Sequence, residues 1–131
     1  MKRYVIRLSL FLTVALLSAC GEENTVPIID EFIVPKNVAP GSSVDFQVVA
    51  HDTDGDILTY TWKVDKTLLS ATTPIVTWKA PNIDQYVTVE VSVSDGVNEP
   101  VIRKKTLKVG KSEQEERQEF ISFLDRLGIV S

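Results

Sequence analysis

Four aspartates stand in turn-rich segments of the chain and could hold a cation. Asp52, Asp54 and Asp56 alternate along one such segment, and Asp95 lies in a second one. Carboxylates that converge repel one another unless a hard cation or several backbone N–H donors compensate them, and calcium prefers about six to eight oxygen ligands of this kind. Two interpretations follow: a calcium site formed by these carboxylates, or aspartates that cap turns through Asx hydrogen bonds and stay solvated.

An EF-hand does not fit this segment. The EF-hand loop carries glycine at its sixth position and a bidentate glutamate at its twelfth. Counted from Asp52, the glycine of this chain, Gly55, comes fourth, and the twelfth residue is Lys63. The spacing therefore excludes this class of calcium site.

Catalytic chemistry has little support in the sequence. His51 stands beside Asp52, but it is the only histidine, and no serine lies in a Gly-x-Ser-x-Gly turn that could supply a nucleophile. Paired carboxylates of the glycosidase type need a cleft that holds the sugar between them, and a chain this small offers loops instead. We expect no enzymatic activity, and we expect His51 to be a solvated or hydrogen-bonded residue at a strand end.

The elements that position these residues have the pattern of a β-sandwich. Between residues 26 and 109, turn signals recur every 8 to 12 residues and separate runs rich in β-branched side chains. In the run 86–94 four valines alternate with polar residues, which indicates one buried face and one wet face. We predict an all-β, immunoglobulin-like antiparallel β-sandwich of about seven strands, at 28–34, 44–48, 58–64, 67–69, 75–79, 86–94 and 101–109.

The same alternation assigns aromatic side chains to the two faces. It places Phe46, Tyr60 and Trp62 in the core. Trp78 shares the phase of residues expected to face inward, whereas Tyr86 is out of phase with the valines of its strand. A platform of Trp78 and Tyr86 that stacks on a glycan is the alternative interpretation.

After Gly110 the pattern becomes helical. Ser112 and Glu115 have the spacing of a capping box, and Gly128 offers a stop. The helix of about 15 residues would carry a broad apolar stripe, which must be buried to stabilise so short an element. Two interpretations stay open, because the helix could cover an edge strand of its own sandwich or enter a partner's groove. The residues proposed for the partner contact are Phe120, Phe123, Leu124 and Leu127.

The first 19 residues have the pattern of a secretory signal peptide. Three basic residues, at positions 2, 3 and 7, flank an apolar run from residue 8 to residue 17. This run is about half as long as the roughly 20 residues that a transmembrane helix needs. Export is therefore favoured over a permanent membrane span.

The residues Leu17, Ser18, Ala19 and Cys20 resemble the lipobox of bacterial lipoproteins. The resemblance implies diacylglycerol transfer to the Cys20 thiol, cleavage after Ala19 and acylation of the new amino terminus. Several acyl chains anchor a protein far more firmly than one myristoyl chain does. Gly21 stands where lipoproteins retained in the inner membrane of Gram-negative bacteria carry aspartate, so the resemblance favours the outer membrane, on its periplasmic face or at the cell surface.

The charge balance argues against nucleic acid as a partner. The whole chain has 14 basic and 18 acidic side chains. Three of the basic residues and none of the acidic ones lie in residues 1–19, so cleavage leaves 11 basic and 18 acidic side chains, a net charge of −7. A phosphate backbone would be repelled by such a domain.

Three segments of the sandwich resemble the immunoglobulin-like PKD (polycystic kidney disease) domains of exported bacterial proteins. They are His51-Asp52-Thr53-Asp54-Gly55-Asp56 with the strand that follows, Trp78-Lys79-Ala80-Pro81, and the strand from Tyr86 to Ser94-Asp95-Gly96. The resemblance implies an extracytoplasmic module that serves as a spacer or contacts protein or glycan, sometimes with calcium at its loops, and that has no catalysis of its own.

Together these features predict four segments. They are a lipoprotein signal peptide (1–19), a lipidated tether (20–25), the sandwich (26–110) and a C-terminal amphipathic helix (111–131). We expect a non-enzymatic, membrane-anchored lipoprotein that contacts an envelope protein, and the alternative is a calcium- or glycan-binding module at the cell surface. In an immunoglobulin-like sandwich the two acidic loops share the end at which the first strand begins, and the last strand leaves at the other end.

Overall fold

The structure is a computed structural model that describes residues 23–129. The predicted signal peptide and the lipobox with Cys20 lie outside the described residues. Residues 23–129 form eight β-strands and one α-helix: β1 Ile28–Ile33, β2 Asn37–Val38, β3 Ser43–His51, β4 Thr59–Val64, β5 Thr67–Leu69, β6 Ile75–Lys79, β7 Gln85–Ser94, β8 Val101–Val109 and α1 Glu113–Arg126.

The strands form two sheets that pack face to face. One sheet has three strands in the order β1-β3-β6, and the other has five in the order β2-β8-β7-β4-β5. Neighbouring strands are antiparallel, except that β2 runs parallel to β8. The register of β1 against β3 shifts between Ile29 and Glu31, which marks a β-bulge. The predicted all-β, immunoglobulin-like sandwich is confirmed.

The core lies between the sheets where the alternation predicts it. Four valines of β7 point inward and are fully buried beside Trp62 and Phe46. The ring of Trp78 stacks on that of Phe46, with centroids 5.8 Å apart. The inward orientation predicted for Phe46, Trp62 and Trp78 is confirmed, and Tyr60 is half-buried against the same cluster.

Tyr86 lies on the outer face of the five-stranded sheet and is exposed, as its phase in β7 predicts. Trp78 belongs to the other sheet and packs against the core. Because one ring points into the interior and the other points into solvent, Trp78 and Tyr86 do not form one stacking platform.

The C-terminal helix begins at the predicted capping box. The Ser112 hydroxyl accepts a hydrogen bond from the Glu115 backbone N–H at 3.2 Å, and the Ser112 N–H donates to the Glu115 carboxylate at 2.7 Å. The helix ends before Gly128, whose φ of +68° is the left-handed conformation that glycine favours. The helix has 14 residues, close to the about 15 predicted, and lies within the C-terminal segment 111–131. Within residues 23–129, no helix reaches the length and apolar character that crossing a membrane requires.

Candidate functional site

The two acidic loops meet at one end of the sandwich. Asp52 and Asp56 lie between β3 and β4, and Asp95 follows β7. Each of the three residues offers a carboxylate oxygen, and these oxygens lie within 4.8 Å of one another. The structure thus brings together three of the four aspartates that the sequence singles out.

One oxygen of Asp52 and one of Asp95 cap turns. Asp52 Oδ1 accepts from the backbone N–H groups of Asp54 at 2.8 Å and Asp56 at 3.4 Å. Asp95 Oδ1 accepts from the N–H groups of Val97 at 2.9 Å and Asn98 at 2.8 Å. The turn-capping interpretation describes these oxygens correctly, because Asx turns satisfy backbone donors in this way.

The solvation expected in that interpretation does not hold for Asp95. Its side chain is buried, with the residue only 9% exposed. The hydrogen bond from the Val97 backbone N–H holds the pKa of Asp95 below its usual range, in spite of the desolvation that opposes this shift. Asp95 is therefore a buried carboxylate that stays ionised at neutral pH.

The second oxygen of Asp52 has a different environment. Asp52 Oδ2 is shielded from solvent, and it has no hydrogen-bond partner among the described residues. A buried polar atom without a partner costs about 1–3 kcal/mol. A cation held between Asp52, Asp56 and Asp95 would compensate this oxygen, so the residue types and their spacing fit calcium.

Asp54 does not belong to this group, contrary to the prediction that placed it among the converging carboxylates. Its Oδ2 accepts from both the backbone N–H and the hydroxyl of Thr25, each at 2.7 Å. The bond from the Thr25 backbone holds the pKa of Asp54 below its usual range. The carboxylate of Asp54 is occupied by the N-terminal segment and is not among the three oxygens that converge.

A second set of bonds joins the same segment to the other loop. The Asn24 side-chain amide donates to Asp95 Oδ2 at 3.0 Å, and the Asn98 amide donates to the Asn24 carbonyl at 3.1 Å. We call the hydrogen bonds of Asn24 and Thr25 to Asp54, Asp95 and Asn98 the clamp. Sequence reasoning treats residues 20–25 as a free tether and misses it, since the bonded residues lie up to 74 positions apart.

Two aliphatic side chains project from these loops. Ile57 is 87% exposed and directly follows Asp56, and Val97 is 69% exposed and donates its N–H to Asp95. We call Ile57 and Val97 the apolar tips. They lie at the same end of the sandwich as the clamp.

The predicted partner-binding residues lie on the helix at the other end. Phe120, Phe123 and Leu127 are each more than half exposed, Leu124 is partly buried, and no residue of the helix is buried. The structure therefore does not show the helix covering an edge strand of its own sandwich.

Ion pairs attach the base of the helix to the sandwich. Lys108, near the end of β8, forms an ion pair with Glu116 at 2.6 Å, and Lys111, just before the helix, forms one with Glu119 at the same distance. The hydrogen bond to Glu116 raises the pKa of Lys108. A cleft of about 470 Å³ separates this base from the sandwich, lined by Lys36, Asn37, Tyr86, Lys108, Ser112, Glu113 and Gln114.

His51 has the role expected of it. Its Nδ1 lies 2.7 Å from Asp30 Oδ2, across the β1–β3 pair, and both side chains are exposed. This is a hydrogen-bonded histidine at a strand end.

Comparisons with known proteins identify the fold. No family model matches the chain, and a search of curated proteins finds no relative. Among solved structures, the chain is similar to the PKD1 domain of Vibrio anguillarum Epp, at 22% sequence identity and a TM-score of 0.51, over 69% of this chain and 100% of that domain. The chain therefore contains a PKD-like, immunoglobulin-like β-sandwich.

Proposed function

We propose that this protein is a non-enzymatic lipoprotein, anchored through acylated Cys20, whose immunoglobulin-like domain acts as an adaptor in the cell envelope. The observation that carries the proposal is the exposed apolar half of α1. Its first half, 113–119, is polar and acidic, and the apolar side chains follow from Phe120 onward. Such a helix is marginal alone and gains stability when a partner buries its apolar face.

The sandwich separates the proposed anchor from the helix. Residues 24 and 25 lie at the acidic loops, and α1 begins beyond the opposite end of β8. The nine residues of β8 span about 30 Å at the rise of a β-strand. The fold supports a spacer role, because it would present the helix at that distance from the membrane, at an outer-membrane location favoured by Gly21.

The partner contact can be tested by crosslinking in intact membranes. We expect the triple variant Phe120→Ser, Phe123→Ser, Leu127→Ser to lose the crosslinked envelope protein that the parent recovers. The matched control is Gln118→Ala with Ser122→Ala, on the polar side of the same helix, which should recover that protein unchanged. Equal recovery with the triple variant would exclude the helix as the docking element.

The anchor can be tested by fractionation. Cys20→Ala should leave the precursor uncleaved and remove stable membrane retention, since the acyl chains have no other thiol to modify in this chain. Cys20→Ser provides a second variant of nearly unchanged size. If both variants are processed and fractionate like the parent, the proposed anchor is wrong.

Calcium binding at the acidic loops is a second candidate function. It is favoured by the convergence of three carboxylates within 4.8 Å and by the unpartnered oxygen of Asp52. Asp52, Asp56 and Asp95 would hold the ion, which would supply positive charge where these groups repel one another. Backbone and water oxygens would have to complete its coordination.

Calcium binding can be tested with Asp54 as a matched control, because its carboxylate lies outside the group of three. Calcium should raise the melting temperature of the parent, because a ligand that binds only the folded state stabilises it. Asp56→Asn should remove this rise, whereas Asp54→Asn should retain it, because Asp54 bonds Thr25 and lies outside the group of three. If calcium leaves the melting temperature of the parent unchanged, the proposed calcium site is wrong.

A further inference from the structure

We propose that the loop end of the sandwich rests on the lipid bilayer, with the apolar tips Ile57 and Val97 inserted among the lipid headgroups. This inference rests on the proposed acylation of Cys20. It adds a second contact with the membrane, made by the folded domain itself, and it fixes which end of the domain faces the lipid.

The apolar tips lie on the two acidic loops whose carboxylates converge. Val97 is tied to Asp95 by its backbone N–H, and Ile57 follows Asp56, whose carboxylate converges with that of Asp95. Both side chains extend into solvent, at 87% and 69% exposure. Single exposed aliphatic residues are ordinary on protein surfaces, so exposure alone does not identify a partner. Ile57 and Val97 are distinguished by their position beside the clamp, at the end of the sandwich to which the proposed anchor is joined.

The short segment between Cys20 and the clamp would keep the bilayer close to the loop end of the sandwich. Three residues separate Cys20 from Asn24 in the sequence. Four residue steps span at most about 14 Å, whatever conformation they adopt. Asn24 is held by Asp95 and Asn98, so acyl chains on Cys20 would begin within that distance of the loops.

The clamp also opposes reorientation of the domain. Thr25 donates twice to Asp54, and Asn24 bonds the loop that carries Val97. To turn its loop end away from the bilayer on so short a connection, the domain would have to break these bonds.

The test uses the acylated full-length protein in vesicles of phosphatidylethanolamine and phosphatidylglycerol. Cys20 is the only cysteine and is consumed by acylation, so Ile57→Cys or Val97→Cys introduces one free thiol for an environment-sensitive fluorophore. Leu68→Cys is the matched control, because Leu68 is an aliphatic residue of 62% exposure paired with Lys63, toward the opposite end of β4.

Brominated lipids should quench the fluorophore at the apolar tips at least threefold more than at position 68. Equal, weak quenching at all three positions, with the protein still floating with the vesicles, would overturn this inference and leave the anchor intact. A protein that does not float with the vesicles would overturn the proposed anchor and this inference with it.

A second variant tests the contribution of the clamp. Asp54→Ala with Asn98→Ala removes acceptors and donors that hold Thr25 and Asn24. We expect flotation to persist while quenching at position 57 falls toward that at position 68. Unchanged quenching in a variant whose circular dichroism matches the parent would show that the clamp does not orient the domain.

Discussion

Replacement of Trp62 by alanine is the most direct test of how the sandwich is held together. The indole is fully buried, and its centroid lies 6.0 Å from that of Phe32 and 6.4 Å from that of Phe46. Its N–H donates to the carbonyl of Thr73 at 2.9 Å. Trp62 therefore joins the five-stranded sheet to two strands of the other sheet and to the segment that leads into β6.

The expected loss follows from these contacts. Truncation of a buried tryptophan to alanine costs about 3–5 kcal/mol, because a cavity replaces the ring. Single domains have a total free energy of unfolding of only about 5–15 kcal/mol. Trp62→Phe refills most of the volume but leaves the Thr73 carbonyl without its donor, so we expect a smaller loss of about 1–3 kcal/mol.

Urea unfolding followed by far-UV circular dichroism measures these losses without relying on tryptophan fluorescence. The midpoint should fall in the order parent, Trp62→Phe, Trp62→Ala, with an unchanged slope. Thr61→Ala, one residue earlier on the exposed face of β4, is the matched control and should stay within about 0.5 kcal/mol of the parent. A Trp62→Ala midpoint equal to that of Thr61→Ala would refute the predicted phase of the strand.

Two further predictions concern the loops and the helix. Because the pKa values of Asp54 and Asp95 are lowered in the folded state, their contribution to stability is complete above the unfolded aspartate value of about 3.9 and is lost as the pH falls through the folded values. The melting temperature should therefore decline steeply below about pH 4, and the double variant Asp54→Asn, Asp95→Asn should show a flatter decline. An equally steep decline in the double variant would contradict the role of these two carboxylates. Ser112→Ala should destabilise α1 by about 1 kcal/mol and lower the helical circular dichroism signal, whereas Ser122→Ala, at an exposed position within the helix, should not.

The strands were predictable because burial leaves a period of two in the sequence. The run of β7 shows this, since its valines occupy alternate positions and all four are buried. β2 was missed because two residues cannot display a period. The capping box and Gly128 identified both ends of α1, because these signals are local.

The candidate site was only partly predictable, because its decisive contacts are distant in sequence. Fold topology predicts that Asp52, Asp56 and Asp95 meet, but not that Thr25 occupies Asp54. Asn24 and Asp95 are 71 positions apart, and no local pattern links an asparagine in a polar segment to a particular loop. The orientation of the helix was likewise undecided, since an amphipathic stripe does not indicate which surface it meets.

The edge strands of the two sheets determine whether copies of this domain can join by strand addition. β2 and β5, at the edges of the larger sheet, are two and three residues long. In the smaller sheet, β1 carries the bulge, and β6 lies between Pro74 and Pro81. Short, bulged and proline-flanked edges are poor templates for strand addition. At the membrane surface proposed for this protein, copies would collide at high local concentration. Edges of this kind favour separation after a collision over the formation of intermolecular sheets.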